Sequence, residues 1–182
     1  GHPQEQQLKG LLIIKQATVR LTSFINNILD LAKIKANKLE IRKTDTDIVA
    51  VISEIVSLYE PLAVQQKKKI SLDIVFRMPI IIRADSEKIK QVITNLVSNA
   101  MKFTKENGNI ILKVLENSTG YGENYVEIWV KDDGIGIPKH QVDLVFEKFF
   151  QVQDGQFKRP KGTGLGLTIV AEMIKLHKGY VW

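Results

Sequence analysis

The sequence predicts a mixed α/β domain preceded by one long amphipathic helix. Three observations carry this. Residues 5–37 contain no proline and a single glycine, Gly10, and apolar or small residues recur there in alternating steps of three and four. Beyond residue 38, short period-2 apolar runs alternate with runs at helical spacing. Glycine clusters stand at the junctions, at 132–138 and 161–166, rather than inside the periodic runs.

The 182 residues can hold one well-buried domain and some extra. The absence of cysteine excludes a disulfide framework, a thiolate metal site and a cysteine nucleophile, and fits the cytosol. No unbroken apolar run approaches the roughly 20 residues that span a bilayer, and no secretory signal is visible, so any membrane anchor is expected outside this chain. The net charge of +6 is scattered. Its densest run, Lys67-Lys68-Lys69, suits a helix end or a solvated turn better than a nucleic-acid surface. Gly1-His2-Pro3 reads as a cloning remnant.

The first helix places Leu11, Ile14, Thr18, Leu21, Ile25, Ile28 and Ala32 along a heptad seam, widened by Leu12, Phe24, Leu29 and Leu31. So apolar a helix needs a bundle, from a second copy or from a helix not in this chain, unless it folds back on its own domain. Leu39 and Ile41 then alternate with charges as in a short strand, and a helix follows from an aspartate cap at 45–47, with Pro61 expected to kink or end it. Strands are predicted at 70–76 and 80–82. Asp85-Ser86 caps a helix whose core side is Ile89, Val92, Ile93, Leu96, Val97 and Ala100. Strands at 109–115 and 125–131 and a last helix from Leu167 to Leu176 complete the chain.

Several polar positions stand out. Asn95 and Asn99 share one helix face, with Lys102 a turn beyond. They are either solvated amides or a ledge for a metal and phosphate, since an amide oxygen is a hard neutral ligand suited to Mg²⁺. Asp132-Asp133-Gly134-Ile135-Gly136 is either a tight turn or a base site, its carboxylate accepting from an adenine amino group. Gly162, Gly164 and Gly166 lead into a helix N-terminus, where unpaired N–H groups favour an anion, phosphate above all. Between Phe150 and Lys161 a polar stretch reads as a lid.

Taken in order, these motifs resemble the ATP-binding catalytic domain of sensor histidine kinases, the Bergerat fold shared with gyrase, heat-shock and mismatch-repair ATPases. Asn95 to Thr104 is similar to the N box, Asp132 to Pro138 to the first glycine box, Phe146 to Phe149 to the F box, and Gly162 to Leu167 to the second glycine box. Leu21 to Leu39 looks like the second helix of the family's dimerisation and phosphotransfer domain. The resemblance implies a two-layer α+β sandwich, a mixed sheet with helices on one face, over residues 38–182, behind a partial dimerisation helix at 4–37. It implies ATP and Mg²⁺ as cofactors. Asn99 would hold the metal, Lys102 the phosphates, Phe103 would be a further cofactor-binding residue, and Asp132 would take the adenine amino group in a turn shaped by Gly134 and Gly136. Gly162, Thr163, Gly164, Leu165, Gly166 and Leu167 would form the phosphate loop, and Lys158 or Arg159 would reach the γ-phosphate. Asn95 and Lys102 would be the catalytic positions. The implied partners are a phosphoacceptor helix of the parent kinase, a response regulator receiver domain and a second copy in the full-length protein. The implied setting is cytoplasmic, with no nucleic acid.

Two departures qualify this. ATPase relatives place a glutamate general base where Asn95 stands, and an amide cannot take a proton from water, so slow hydrolysis is expected. The family's acceptor histidine is followed by an acid and an Arg-Thr-Pro-like stretch, which none of His2, His140 and His177 matches. The expected chain is a catalytic half without its phosphoacceptor helix; Lys178 also replaces a glycine usual in the family. The rivals are a hydrolase of the same fold, which Asn95 opposes, and a degenerate nucleotide-binding or assembly module working through its long helix. No G-x-x-x-x-G-K-[ST] or G-x-G-x-x-G pattern is present.

Overall fold

A computed structural model describes residues 3–74, 79–118, 124–152 and 162–182. The chain forms two compact units, Gly1–Glu40 and Ile41–Trp182. The first is helix α1, Pro3–Lys35, about 50 Å long at 1.5 Å per residue. Asn37 ends it in the left-handed region (φ 51°), and Lys38 N–H returns to Lys33 O at 2.8 Å. Along its seam Leu11, Ile14, Leu21, Ile25 and Ile28 are exposed, Leu11 and Ile14 by 63% each.

The second unit opens with β1 (Thr44–Asp47), α2 (Ile48–Gln65), β2 (Lys69–Ile74) and β3 (Ile81–Ala84). Then come α3 (Ser86–Phe103), β4 (Asn109–Ser118), β5 (Asn124–Asp132) and α4 (Gly166–Leu176). Strand β4 is central to a mixed sheet, parallel to β2 from Lys69↔Asn109 and antiparallel to β5 from Ile110↔Asp132. Strands β1 and β3 make a separate antiparallel pair. Helix α2 packs on β2 and α3, α3 on β4 and β5, and α4 on α3. The core between these layers is apolar: Ile110, Leu112 and Val114 point inward from β4 and meet a helix layer that buries Ile48, Ile52, Ile93, Val97, Ile169 and Met173. Each such side chain contributes about 1.5–3 kcal/mol by leaving water.

Both predicted aspartate caps form. Asp47 Oδ1 accepts from Val49 and Ala50 N–H, and Asp85 Oδ1 accepts from Lys88 N–H at 3.2 Å. Lys67 closes α2 in the left-handed region (φ 54°), with Lys68 N–H on Ala63 O, so the lysine run does mark a helix end.

Two local expectations differ from the structure. Leu39 and Ile41 form no strand; β1 begins instead at Thr44, where Thr46 is buried and its hydroxyl donates to Ala84 O at 3.1 Å. Of the two outcomes expected at Pro61, the helix end does not occur: α2 continues to Gln65. Ser57 and Pro61 are both exposed, so the carbonyl that loses its donor can bind water. Helix α2 also has the length and apolarity to cross a membrane, the one such helix among the described residues, but Ile48, Val51, Ile52 and Ile55 are buried in the domain core.

Candidate functional site

Helix α3 organises the site. Its apolar side faces the core, which leaves Asn95 and Asn99, both half-buried, on the remaining face with Lys102 in the last turn. The Asn95 amide nitrogen is buried and has no hydrogen-bond partner. The buried hydroxyls of Thr104 and Thr168 are in the same condition; native interiors rarely leave such groups unsatisfied, and ordered water, an ion or a functional role accounts for the exceptions.

The second glycine loop lies against this face. Gly166 opens α4 beside Asn95: a methyl group on Gly166 would stand 3.9 Å from Asn95 Oδ1. On Gly162 a methyl would come within 2.9 Å of Lys102 Nζ, which also sits 4.7 Å from the Phe103 ring centroid. The first turn of α4 has no side-chain cap, so its N–H groups offer the partial positive charge that draws an anion. Sequence positions about sixty residues apart thus converge: amides and an ammonium from α3, backbone donors from the loop.

Within the loop, residues differ in what they can offer. Leu165 is fully buried and its N–H donates to Thr163 Oγ1 at 3.3 Å, so its side chain belongs to the core and not to a ligand. Thr163 is exposed, and Leu167 is half-buried. Lys158 and Arg159 lie outside the described residues, as does most of the predicted lid.

The first glycine turn is held at the C-terminal end of α3. Ile135 N–H reaches Phe103 O at 3.4 Å. Gly134 passes so close that a Cβ would lie 2.6 Å from Phe103 O, whereas Gly136 is required by its own torsion, φ 66°. Asp132 is exposed and spends one oxygen on Gly134 N–H at 2.9 Å, leaving the other for an incoming donor. Asp133 is a structural neighbour: it accepts from the Asn109 side chain and backbone at 2.9 Å, and these bonds hold its carboxyl below the usual range. The last turn of α3 is further secured by Lys68, whose ammonium donates to Met101 O; burial pulls its pKa below the usual lysine range, with Glu106 opposing.

Gln151, which sequence reasoning gave no role, and Phe149, within the expected F box, join the glycine loop to that box. Gln151 Nε2 donates to Gly162 O at 2.9 Å, and Phe149 N–H donates to Gly164 O at 2.9 Å. Only the tertiary pairing reveals these contacts, although both residues stand at the start of the predicted lid.

A two-layer mixed α/β domain with a polar helix face, a glycine-loop helix start and a carboxylate-bearing glycine turn defines a nucleotide-binding domain. The chain belongs to the histidine kinase-, DNA gyrase B- and HSP90-like ATPase family, whose model matches residues 84–182. Sensor histidine kinase WalK of Bacillus subtilis (strain 168) is 31% identical over 175 residues, covering 94% of this chain and 27% of its own length. Full-length ShkA in complex with AMPPNP superposes with a TM-score of 0.74 at 27% identity, over 93% of this chain and 34% of that one. Histidine kinase ThkA in complex with the response regulator protein TrrA gives a TM-score of 0.66 at 25% identity, over 98% of this chain and 47% of that one. The chain therefore spans roughly a quarter of that WalK and under half of each of these structures.

Proposed function

We propose that this chain is the catalytic part of a sensor histidine kinase, binding ATP with Mg²⁺ and passing the γ-phosphate to a histidine on a helix it does not itself contain. The carrying observation is the convergence of Lys102 with Gly162 and of Asn95 with Gly166, which brackets one anion between a side-chain cation and helix N–H donors. Asp132, with one oxygen uncommitted, accepts from the adenine amino group in the turn held at the C-terminal end of α3. Reaction then depends on positioning and charge neutralisation rather than on a covalent intermediate with this domain.

The donor set fits Mg²⁺ arriving with its nucleotide. No cluster of three or more His, Cys, Asp or Glu exists among the described residues, so no all-protein cage competes. Asn99 would supply one neutral oxygen, leaving the other positions to phosphate and water, as Mg²⁺ prefers. When bound, the ion neutralises phosphate charge. Around it Lys102 orients the phosphates, and Asn95, having no basic atom, leaves water unactivated.

WalK and ThkA are named kinases, and ThkA has been captured with a response regulator. By analogy, the downstream partner here is a receiver domain, and the exposed seam of α1 serves a homodimer of the full-length, cytoplasmic protein. A decisive test mixes this chain with a separate phosphoacceptor helix pair and γ-labelled ATP. Acid-labile, base-stable label on the acceptor histidine is the expected result. Label released as free phosphate would make the domain a hydrolase, and nucleotide binding without transfer would make it a binding module.

A further inference from the structure

The geometry points to His177 as the residue that sets the axial register of α4 against α3, and so positions the phosphate-binding end of α4, through a hydrogen-bond pair that only its neutral form can make. This rests on the nucleotide-site reading above.

The two helices run antiparallel. Gly166, at the start of α4, lies beside Asn95, and His177, at its end, lies beside Asp85. Eleven residues separate the two contacts on α4 and ten on α3, about 16 and 15 Å at 1.5 Å per residue, so the two contacts share one register. Between them Ile169, Val170 and Met173 are buried, together with Thr168, whose hydroxyl makes no hydrogen bond. Such contacts carry little directional information. The directional contact is at His177. Its Nε2 lies 3.0 Å from the Asp85 backbone N–H and must accept; its Nδ1 lies 2.8 Å from Met173 O and must donate. Both ring nitrogens are thereby assigned and the imidazole is neutral.

An added proton would set two donors against each other at Asp85. The charged groups facing the ring come from three elements. Asp85 on the α3 side is committed to Arg42 N–H at 2.9 Å and Lys88 N–H at 3.2 Å. Lys43, from the segment before β1, donates to His177 O at 3.4 Å, and Lys175 and Lys178, both exposed, neighbour His177 in sequence on its own element. An imidazolium could turn to the Asp85 carboxylate only by competing with the cap of α3. A proton added to the ring would therefore loosen the register at one end of α4 and the phosphate site at the other, acting through position rather than ligand contact.

The test compares the whole chain with His177→Gln, whose amide oxygen can still accept from Asp85 but does not titrate. MgATP affinity is measured by calorimetry from about pH 8 to about 5.5. Because ATP titrates there too, the difference between the two proteins is the readout. Wild type should lose roughly fivefold more affinity on acidification than the variant; equal slopes would overturn the inference. ¹⁵N NMR of the ring, without nucleotide, should find the Nδ1–H tautomer at high pH, and an Nε2–H tautomer would overturn it independently. If wild type binds no ATP at pH 8, the nucleotide-site reading fails, while the ring measurement still judges the register contact.

Discussion

Phe149 and Gly164 meet backbone to backbone, both in the left-handed region: φ is 62° and 70°, Phe149 N–H donates to Gly164 O at 2.9 Å, and a Cβ on Gly164 would lie 2.7 Å from the Phe149 carbonyl carbon. This contact fixes where the second glycine loop begins its approach to α3. Gly164→Ala is expected to cost about 1–2 kcal/mol from torsion alone, more with the clash, and to lower Tm by roughly 2–8 °C. MgATP affinity should fall with it. An alanine variant with unchanged Tm would mean the pairing is not maintained in solution.

Lys178 presents the opposite case. It ends α4 with φ 65°, with Gly179 N–H on Ile174 O and its own N–H on Lys175 O, a motif normally closed by glycine. Lys178→Gly removes the side-chain penalty and adds chain entropy to the unfolded state, for a net gain of about 0.5–1 kcal/mol. Denaturant titration should find a raised midpoint with unchanged slope.

Asp132→Asn isolates base recognition. The amide oxygen can still accept from Gly134 N–H, so the turn should survive, while the new amide nitrogen faces another donor on adenine. ATP affinity should fall about 10- to 150-fold at unchanged Tm. Calorimetry giving wild-type affinity would remove Asp132 from the site.

Asn95→Leu should separate stability from function. The buried amide nitrogen lacks a partner, and relieving such a group is worth about 1–3 kcal/mol. The variant should melt at or above wild type and lose phosphotransfer. A marked fall in Tm would show that the amide is satisfied in the free protein.

Acid sensitivity should trace to two carboxylates. Burial opposes ionisation of Asp85, but the N–H groups of Arg42 and Lys88 outweigh it; Asp133 is held down by Asn109. Folded values below the unfolded one mean that their stabilisation is complete above about pH 4 and is lost as pH falls through the lower folded values. Asp85→Asn keeps a good cap and should flatten the stability profile below pH ~4. An unaltered acid limb would assign the loss elsewhere.

Much of this was legible because the signals were local. Asp47 and Asp85 are caps followed by apolar runs, the Lys67 run marks a helix end, and three close glycines precede a helix. What was missed depends on partners distant in sequence. Thr44–Asp47 has no apolar alternation and becomes a strand only because Ile81–Ala84 lies alongside it and takes the Thr46 hydroxyl. Leu39 and Ile41 have the alternation and no strand beside them. The Gln151 and Phe149 contacts to the glycine loop are likewise invisible until the chain returns on itself, and Leu165, inside the phosphate motif, turns out to be a core residue.

Gly134 and Gly136 would be equally intolerant in a mutational scan scored by nucleotide binding, yet for different reasons. Gly134 answers to the carbonyl of Phe103, Gly136 to its own torsion. A scan scored by folding, repeated in a background where α3 ends one residue earlier, would release the first constraint and leave the second. Within one short motif, then, invariance can record the crowding of a neighbouring helix as readily as contact with a ligand.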